Sequence, residues 1–230
     1  MSRSEALLVR DQFIEEHTVA RALDVIEKFR RAVRLPVVSR RSGQRPLVYS
    51  VVDGFQILEH LPEIQSLHSK TTRLVRELFG DAIEPLADRQ VACNINITQP
   101  GGSYRYHYDR NAITAILYLN ETGGGETECY PNYRVRVPAV AQYGVDRVVE
   151  NPAVRWVFGH QVLVRPRTGR LLIMRGKDCL HSVREVEGDQ DRINIVMSYD
   201  VRGARYANEE RLNSYLYRPE PIDARDPNYA

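Results

Sequence analysis

The chain has 230 residues, 43% of them hydrophobic and 27% charged, and its 32 basic and 30 acidic side chains leave a formal charge of +2. That is enough apolar material for a sizeable core, and it excludes a disordered chain, a collagen-like fibre and a disulfide-dense miniprotein. A balance this close to neutral lacks the basic excess of a nucleic-acid binder, so no nucleic-acid partner is expected. The longest apolar run, Ala112–Leu119, is interrupted by Thr114 and falls far short of the roughly 20 residues of a membrane-spanning helix. The opening MSRSEALLVRDQF has no long apolar stretch and no small-residue cleavage site. The expectation is a cytoplasmic protein without a membrane partner, acting as a monomer or homodimer. Cys93, Cys129 and Cys179 are an odd number with no CxxC spacing, which argues against a disulfide framework or a cysteine zinc site.

Residues 1–80 read as mostly helical. Leu7–Val9 could form a short strand, and Val19, Leu23, Ile26 and Phe29 recur at helical spacing. A second helix is predicted to start at Pro62, to carry Ile64, Leu67, Thr71, Leu74 and Leu78 on one stripe, and to stop at Gly80. Ser39–Arg45 reads as a mobile polar loop. From residue 90 the period becomes strand-like: Val91–Thr98, Tyr104–Asp109, Ala112–Leu119, Val135–Val137, Gln161–Val164, Leu171–Met174, Ser182–Val186 and Ile193–Tyr199. Asn120–Gly125 reads as a turn. Arg134–Gly159 holds Pro138, Pro152 and the single tryptophan, and reads as an insertion. The tail from Arg218 is proline-rich and reads as loosely held. Short strands after a helical segment argue for an α+β chain with a sandwich, barrel or jelly-roll core.

His107 and Asp109 are two apart in a predicted strand, so they should project from one face about 7 Å apart. An imidazole and a carboxylate so placed can chelate a divalent metal, although HxD alone is a weak signal whose plain alternative is a surface ion pair. His181, far downstream at the start of another strand, could meet them in a rolled antiparallel sheet. Two histidines and one carboxylate are the ligand set of non-haem iron(II) oxygenases, and they could equally hold zinc. Arg192 opens the apolar strand INIVMSY, where an arginine is costly unless paired. A bound dicarboxylate could pair it, with Tyr118 adding a hydrogen bond. The structural alternatives are an ion pair of Arg192 with Glu187, Asp189 or Asp191, and a core aromatic role for Tyr118.

HYD at 107–109, ILYLNETGGGET at 116–127 and HSVREVEGDQDRINIVMSYD at 181–200 together resemble the 2-oxoglutarate- and Fe(II)-dependent dioxygenases, above all the prolyl-hydroxylase-like branch. The resemblance covers roughly residues 90–200. It implies a double-stranded β-helix, or cupin-like jelly roll, supported by N-terminal helices. It divides one 230-residue domain into helical support over 1–88, a catalytic core over 89–200 with an insertion at 134–159, and an extension over 201–230. It further implies His107, Asp109 and His181 as iron ligands, and Arg192 with Tyr118 at the distal carboxylate of 2-oxoglutarate. Dioxygen is then consumed, with succinate and CO2 released, and ascorbate would serve as a reductant in vitro. Arg192 lies eleven residues after His181 where many relatives have nine or ten, and Glu128 and Cys129 stand where relatives often carry apolar residues. Asp109 speaks against a halogenase, in which that carboxylate is missing.

The expected reaction is hydroxylation of an unactivated C–H bond in a small molecule, such as an amino acid or a natural-product intermediate. The runner-up is a protein or peptide prolyl hydroxylase; a non-catalytic cupin-like binding protein and a hydrolytic zinc enzyme are further alternatives. Desaturation, cyclisation and epoxidation remain open. Arg105, Arg110, Arg134, Arg136 and Trp156 are candidates to line the substrate pocket, the arginines to hold an acidic group. His17, His60, His68 and His160 read as structural or surface residues.

Overall fold

The structure, a computed structural model, describes residues 6–35, 37–40 and 47–205. Its elements in chain order are β1 (Leu7–Arg10), α1 (Glu16–Ala32), β2 (Val37–Arg40), β3 (Leu47–Val52), α2 (Gly54–His60), α3 (Pro62–Phe79), β4 (Ile83–Pro85), α4 (Arg89–Ala92) and β5 (Cys93–Thr98). They continue with β6 (Tyr104–His107), β7 (Ile113–Tyr118), β8 (Gly123–Gly124), β9 (Thr127–Tyr130), α5 (Ala139–Val149), α6 (Pro152–Phe158) and β10 (Val162–Val164). The last four are β11 (Leu171–Met174), β12 (Leu180–Val183), β13 (Val186–Glu187) and β14 (Arg192–Val201).

The two predicted N-terminal helices form for the reasons their sequences suggest. α1 buries Val19, Ala22, Ile26 and Phe29 along one face. α3 has Pro62 in its first turn, buries Ile64, Leu67, Thr71 and Val75, and ends at Gly80 with φ +95. Between them, Asp53 and Gln56 close a reciprocal capping box on α2. The first eighty residues are less helical than expected, because β2 and β3 extend a sheet through β5. Of the predicted Ser39–Arg45 loop, Ser39 and Arg40 belong to β2; residues 41–46 and the tail from Arg218 lie outside the described residues.

The main sheet runs β1-β11-β7-β14-β5-β3-β2, with β4 paired to the end of β14; the smaller sheet runs β10-β9-β12-β6. All these pairings are antiparallel. From β5 onward the chain passes back and forth between the two sheets, which gives the double-stranded β-helix. The main sheet is buried on both faces. Ile95, Ile97, Leu117, Leu171, Ile173, Ile195 and Met197 point one way and pack with α1 and α3. Ile116, Tyr118, Leu172 and Met174 point the other way, toward Cys129 and Val164 of the smaller sheet. The wholly apolar look of ITAILY and LLIM follows from this double burial.

Two segments depart from expectation. Val135–Val137 forms no strand, and residues 134–159 carry α5 and α6. Arg134–Asp146 and Arg136–Asp178 ion pairs, with N···O separations of 2.9 and 2.6 Å, tie that insertion to itself and to the β11–β12 turn. The unexpected strand β9 holds Glu128 buried on its outer face, so TECY lacks the polar–apolar alternation of a strand with one wet face.

Candidate active site

β6 and β12 are far apart in sequence and adjacent in space, with His107 directly opposite His181. The register then slips: His107 pairs with His181, and Tyr104 with Val183, so two steps on β12 match three on β6. This bulge brings Tyr104 to the same side as His107, and their rings stack at 4.7 Å between centroids. The strand ends at His107, so Asp109 is not placed by strand alternation as expected. It sits in the following turn, where its backbone N–H donates to the Gly176 carbonyl at 3.0 Å.

The outcome is a compact triad. His107 Nε2 lies 3.5 Å and His181 Nε2 3.6 Å from Asp109 Oδ1, and one ligand atom from each residue falls within 4.8 Å of the others. Each imidazole is turned by its other nitrogen. Nδ1 of His107 is 3.0 Å from the Arg105 carbonyl, and Nδ1 of His181 is 3.0 Å from the Cys179 carbonyl. A carbonyl can only accept, so Nδ1 donates in both rings and the Nε2 lone pairs face the carboxylate. The Thr114 hydroxyl donates to Asp109 Oδ2 at 2.5 Å and itself accepts from Asn111 Nδ2 at 2.9 Å. Burial alone would raise the Asp109 carboxyl, but His181, His107 and Thr114 outweigh it and hold it well below the usual carboxylate range. His181 is pushed down to about 4 by burial and by His107, against the pull of Asp109. Two imidazoles and one carboxylate at these separations match the donor chemistry of a divalent metal site.

Room for this cluster depends on Gly176. A Cβ there would stand 2.7 Å from Asp109 Cβ and 2.9 Å from both the Asn111 carbonyl and the Thr114 hydroxyl.

Arg192 is 3% exposed at the start of β14. Among the described residues no carboxylate is within ion-pair distance of it: Asp191 instead binds Arg30 at 2.7 Å. The guanidinium donates to Asn194 Oδ1 at 2.5 Å and to Thr127 Oγ1 at 3.1 Å, and lies 5.2 Å over the Tyr118 ring. Its Nε is sealed from solvent without a partner. Burial lowers its pKa, with Tyr118 opposing. The Tyr118 phenol lies 2.7 Å from Thr127 Oγ1. The motif residues around it now have physical roles. Asn120 accepts from the Ile193 N–H at 2.9 Å and donates to the Asp191 carbonyl at 2.7 Å, clasping the chain on both sides of Arg192. Gly125, at φ +68, clears the guanidinium stem; a Cβ there would stand 3.0 Å from Arg192 Cδ. The eleven-residue spacing from His181 is taken up by the short β13–β8 pairing and the Gly188 turn.

The remaining candidates lie elsewhere. Arg134 reaches the Asp146 carboxylate and stacks 4.7 Å over Tyr108, while Arg136 is bound to Asp178. Trp156 is 87% exposed on α6. Arg105 and Arg110 are half-buried beside the triad, each with interactions of its own. Arg184 donates to buried Glu128, which also accepts from Tyr106, Ser182 and Gln161 on the outer face of the smaller sheet. Thr114, Thr127, Asn194 and Gly176 escaped the sequence reading. Thr127 ends the GGGET turn and Asn194 follows Arg192 by two, so strand alternation was the available signal for both.

Residues 91–199 match the family described as the 2OG-Fe(II) oxygenase superfamily. No curated protein matches the chain in sequence. Among solved structures, the non-heme alpha-ketoglutarate-dependent carbocyclase SnoK from nogalamycin biosynthesis superposes with a TM-score of 0.70 at 14% identity, over 96% of this chain and 90% of that one. The epimerase SnoN, solved with Fe3+, alpha-ketoglutarate and nogalamycin RO, gives 0.67 at 16% identity, over 89% and 82%. A Trichoplax adhaerens prolyl hydroxylase bound to a hypoxia-inducible-factor peptide gives 0.62 at 16% identity, over 86% and 84%. These similarities establish the shared double-stranded β-helix. The match to the 2OG-Fe(II) oxygenase superfamily is carried by residues 91–199, the segment that holds His107, Asp109, His181 and Arg192.

Proposed function

We propose that this protein is an Fe(II)- and 2-oxoglutarate-dependent oxygenase that hydroxylates an unactivated C–H bond of a small molecule. His107, Asp109 and His181 hold the iron through Nε2, a carboxylate oxygen and Nε2. Arg192 receives the distal carboxylate of 2-oxoglutarate, and the Tyr118–Thr127 hydroxyl pair is positioned to share it. Bound iron and 2-oxoglutarate supply the oxidising chemistry, with succinate and CO2 leaving. The chain's own residues bind and orient. The carbonyls of Arg105 and Cys179 fix the imidazole tautomers, Thr114 holds the idle oxygen of Asp109, and Asn120 holds the backbone flanking Arg192. The surrounding apolar side chains, Ile116, Leu172 and Met174 among them, keep bulk water away.

The observation that carries this reading is the buried guanidinium of Arg192. A charge this deep without an opposite partner is costly unless a ligand supplies one, and the carboxylates nearest in sequence point elsewhere. A small substrate is preferred over a protein because the carbocyclase and epimerase that share the fold belong to nogalamycin biosynthesis.

The test is an anaerobic titration of the protein with Fe(II) and 2-oxoglutarate, followed by admission of oxygen. A visible charge-transfer band and then succinate are expected, and both should vanish in His107→Ala and Asp109→Ala while folding is retained. Succinate release undiminished in Asp109→Ala would refute the assignment. Metal uptake with no response to 2-oxoglutarate would point to the zinc hydrolase instead.

A further inference from the structure

The inner face of β5 presents Asn94, Asn96 and Thr98, since Cys93, Ile95 and Ile97 point outward to the helices. Asn94 is 2% exposed. The Oδ1 atoms of both Asn94 and Asn96 are sealed from solvent and accept no hydrogen bond. Native interiors rarely leave an amide carbonyl in that condition, and two on one face of one strand call for a common cause. Their place is specific. Asn96 pairs in register with Asn194, the residue that accepts from Arg192, and Asn94 pairs with Val196 one step along. On the other side Asn96 faces Val51 and Thr98 faces Tyr49, whose ring lies 6.4 Å from Tyr104, the ring stacked on His107. The two orphaned carbonyls therefore lie on the face of β5 opposite the helices, with Asn96 in register with the residue that accepts from Arg192.

We infer that Asn94 and Asn96, on this inner face of β5, recognise the substrate by accepting hydrogen bonds from its hydroxyl or amino groups. The inference rests on the oxygenase reading and adds a substrate class to it. It also stands against the acid-bearing substrate suggested by Arg134 and Arg136. Arg134 and Arg136 are held by Asp146 and Asp178, and Arg192 serves the cosubstrate. What remains unsatisfied on the β5 face itself is the acceptor oxygen of Asn94 and Asn96, which suits a neutral or amino-bearing polyol and repels a carboxylate.

The experiment uses the full chain loaded anaerobically with Fe(II) and 2-oxoglutarate. The probes are cis-1,2-cyclohexanediol, trans-2-aminocyclohexanol and cyclohexanecarboxylate, and the readout is perturbation of the visible band. The diol and the amino alcohol should perturb it and the carboxylate should not. Asn94→Leu and Asn96→Leu should each weaken the diol and amino alcohol by about 3- to 10-fold, the loss of one hydrogen bond. Their 2-oxoglutarate affinity should stay within about twofold of the wild type. Asn96→Asp keeps the acceptor and should retain probe binding. Thermal unfolding separates recognition from a structural role. Removing an amide whose buried carbonyl is unbonded should leave the unliganded midpoint unchanged or raise it, by roughly 2–4 °C. Probe binding unaffected by the leucine variants, a preference for the carboxylate, or no probe response at all overturns the inference. So does a lowered midpoint with probe binding intact. Absence of the band itself would instead bring down the reading of the metal centre, and this inference with it.

Discussion

Replacing Arg192 by methionine separates the functional from the structural account of the buried guanidinium. Among the described residues its charge is met only by neutral acceptors, Asn194 at 2.5 Å and Thr127 at 3.1 Å, while Nε has no partner. If a carboxylate of 2-oxoglutarate is the missing partner, each lost charge-assisted hydrogen bond is worth about 1.5–3 kcal/mol. The 2-oxoglutarate requirement should therefore rise by about 10- to 150-fold for each bond lost. Methionine fills much of the same volume without a charge to desolvate. The unliganded protein should thus hold its stability or gain up to about 1–4 kcal/mol, as when buried charges give way to apolar residues of similar size. Two assays read the two halves: succinate release against 2-oxoglutarate concentration, and thermal unfolding with and without the cosubstrate. Added 2-oxoglutarate should raise the wild-type midpoint and leave that of Arg192→Met where it was. Normal turnover at low 2-oxoglutarate in Arg192→Met would refute the argument, as would a variant that unfolds while the wild type gains nothing from the cosubstrate.

Gly176→Ala should misplace Asp109, because the new Cβ meets its Cβ at 2.7 Å; iron affinity, measured by competition with a chelator, should fall while secondary structure by circular dichroism survives. Thr114→Val removes the 2.5 Å hydrogen bond to Asp109 Oδ2 and should weaken metal binding by about 10- to 100-fold, the usual cost of losing such an orienting group. His68 is held down to about 4 by burial, its Nε2 lacks a partner, and it titrates near 6.5 once unfolded. Its neutral form is favoured by folding, so its contribution is complete above pH 6.5 and is lost as pH falls toward 4. The loss should reach about 3 kcal/mol near pH 4. Denaturant melts of His68→Leu across that window should show a correspondingly flatter decline, and an identical decline would show that His68 is not the group responsible.

The convergence of His107, Asp109 and His181 was legible because each member keeps its residue type in a recognisable order, even though the expected cause of one placement was wrong. Asp109 reaches His107 through a turn held by Gly176, not through strand alternation. Arg192 stood out because a charge heading an apolar strand conflicts with its surroundings. What stayed hidden was context-dependent polarity. Glu128 faces outward yet is buried by Tyr106, Ser182, Gln161 and Arg184, so β9 carries no alternating pattern to read. α5 and α6 were masked by prolines at 138 and 152 that look like loop punctuation, whereas Pro138 precedes one helix and Pro152 opens the other. Strands β2 and β3 belong to the sheet by pairing through β5, a long-range fact that local periodicity does not record.

Strand β6 is gripped from both sides. Inward it carries His107; outward, Tyr106 donates to Glu128 at 2.7 Å and lies under the Arg155 guanidinium at 3.5 Å from the ring centre. Arg155 belongs to α6, so the segment 134–159 and the strand that carries His107 share one mechanical joint. Exchanging that insertion for another, in evolution or in the laboratory, will retune the histidine as well as the pocket rim unless a cation is kept to press on the tyrosine.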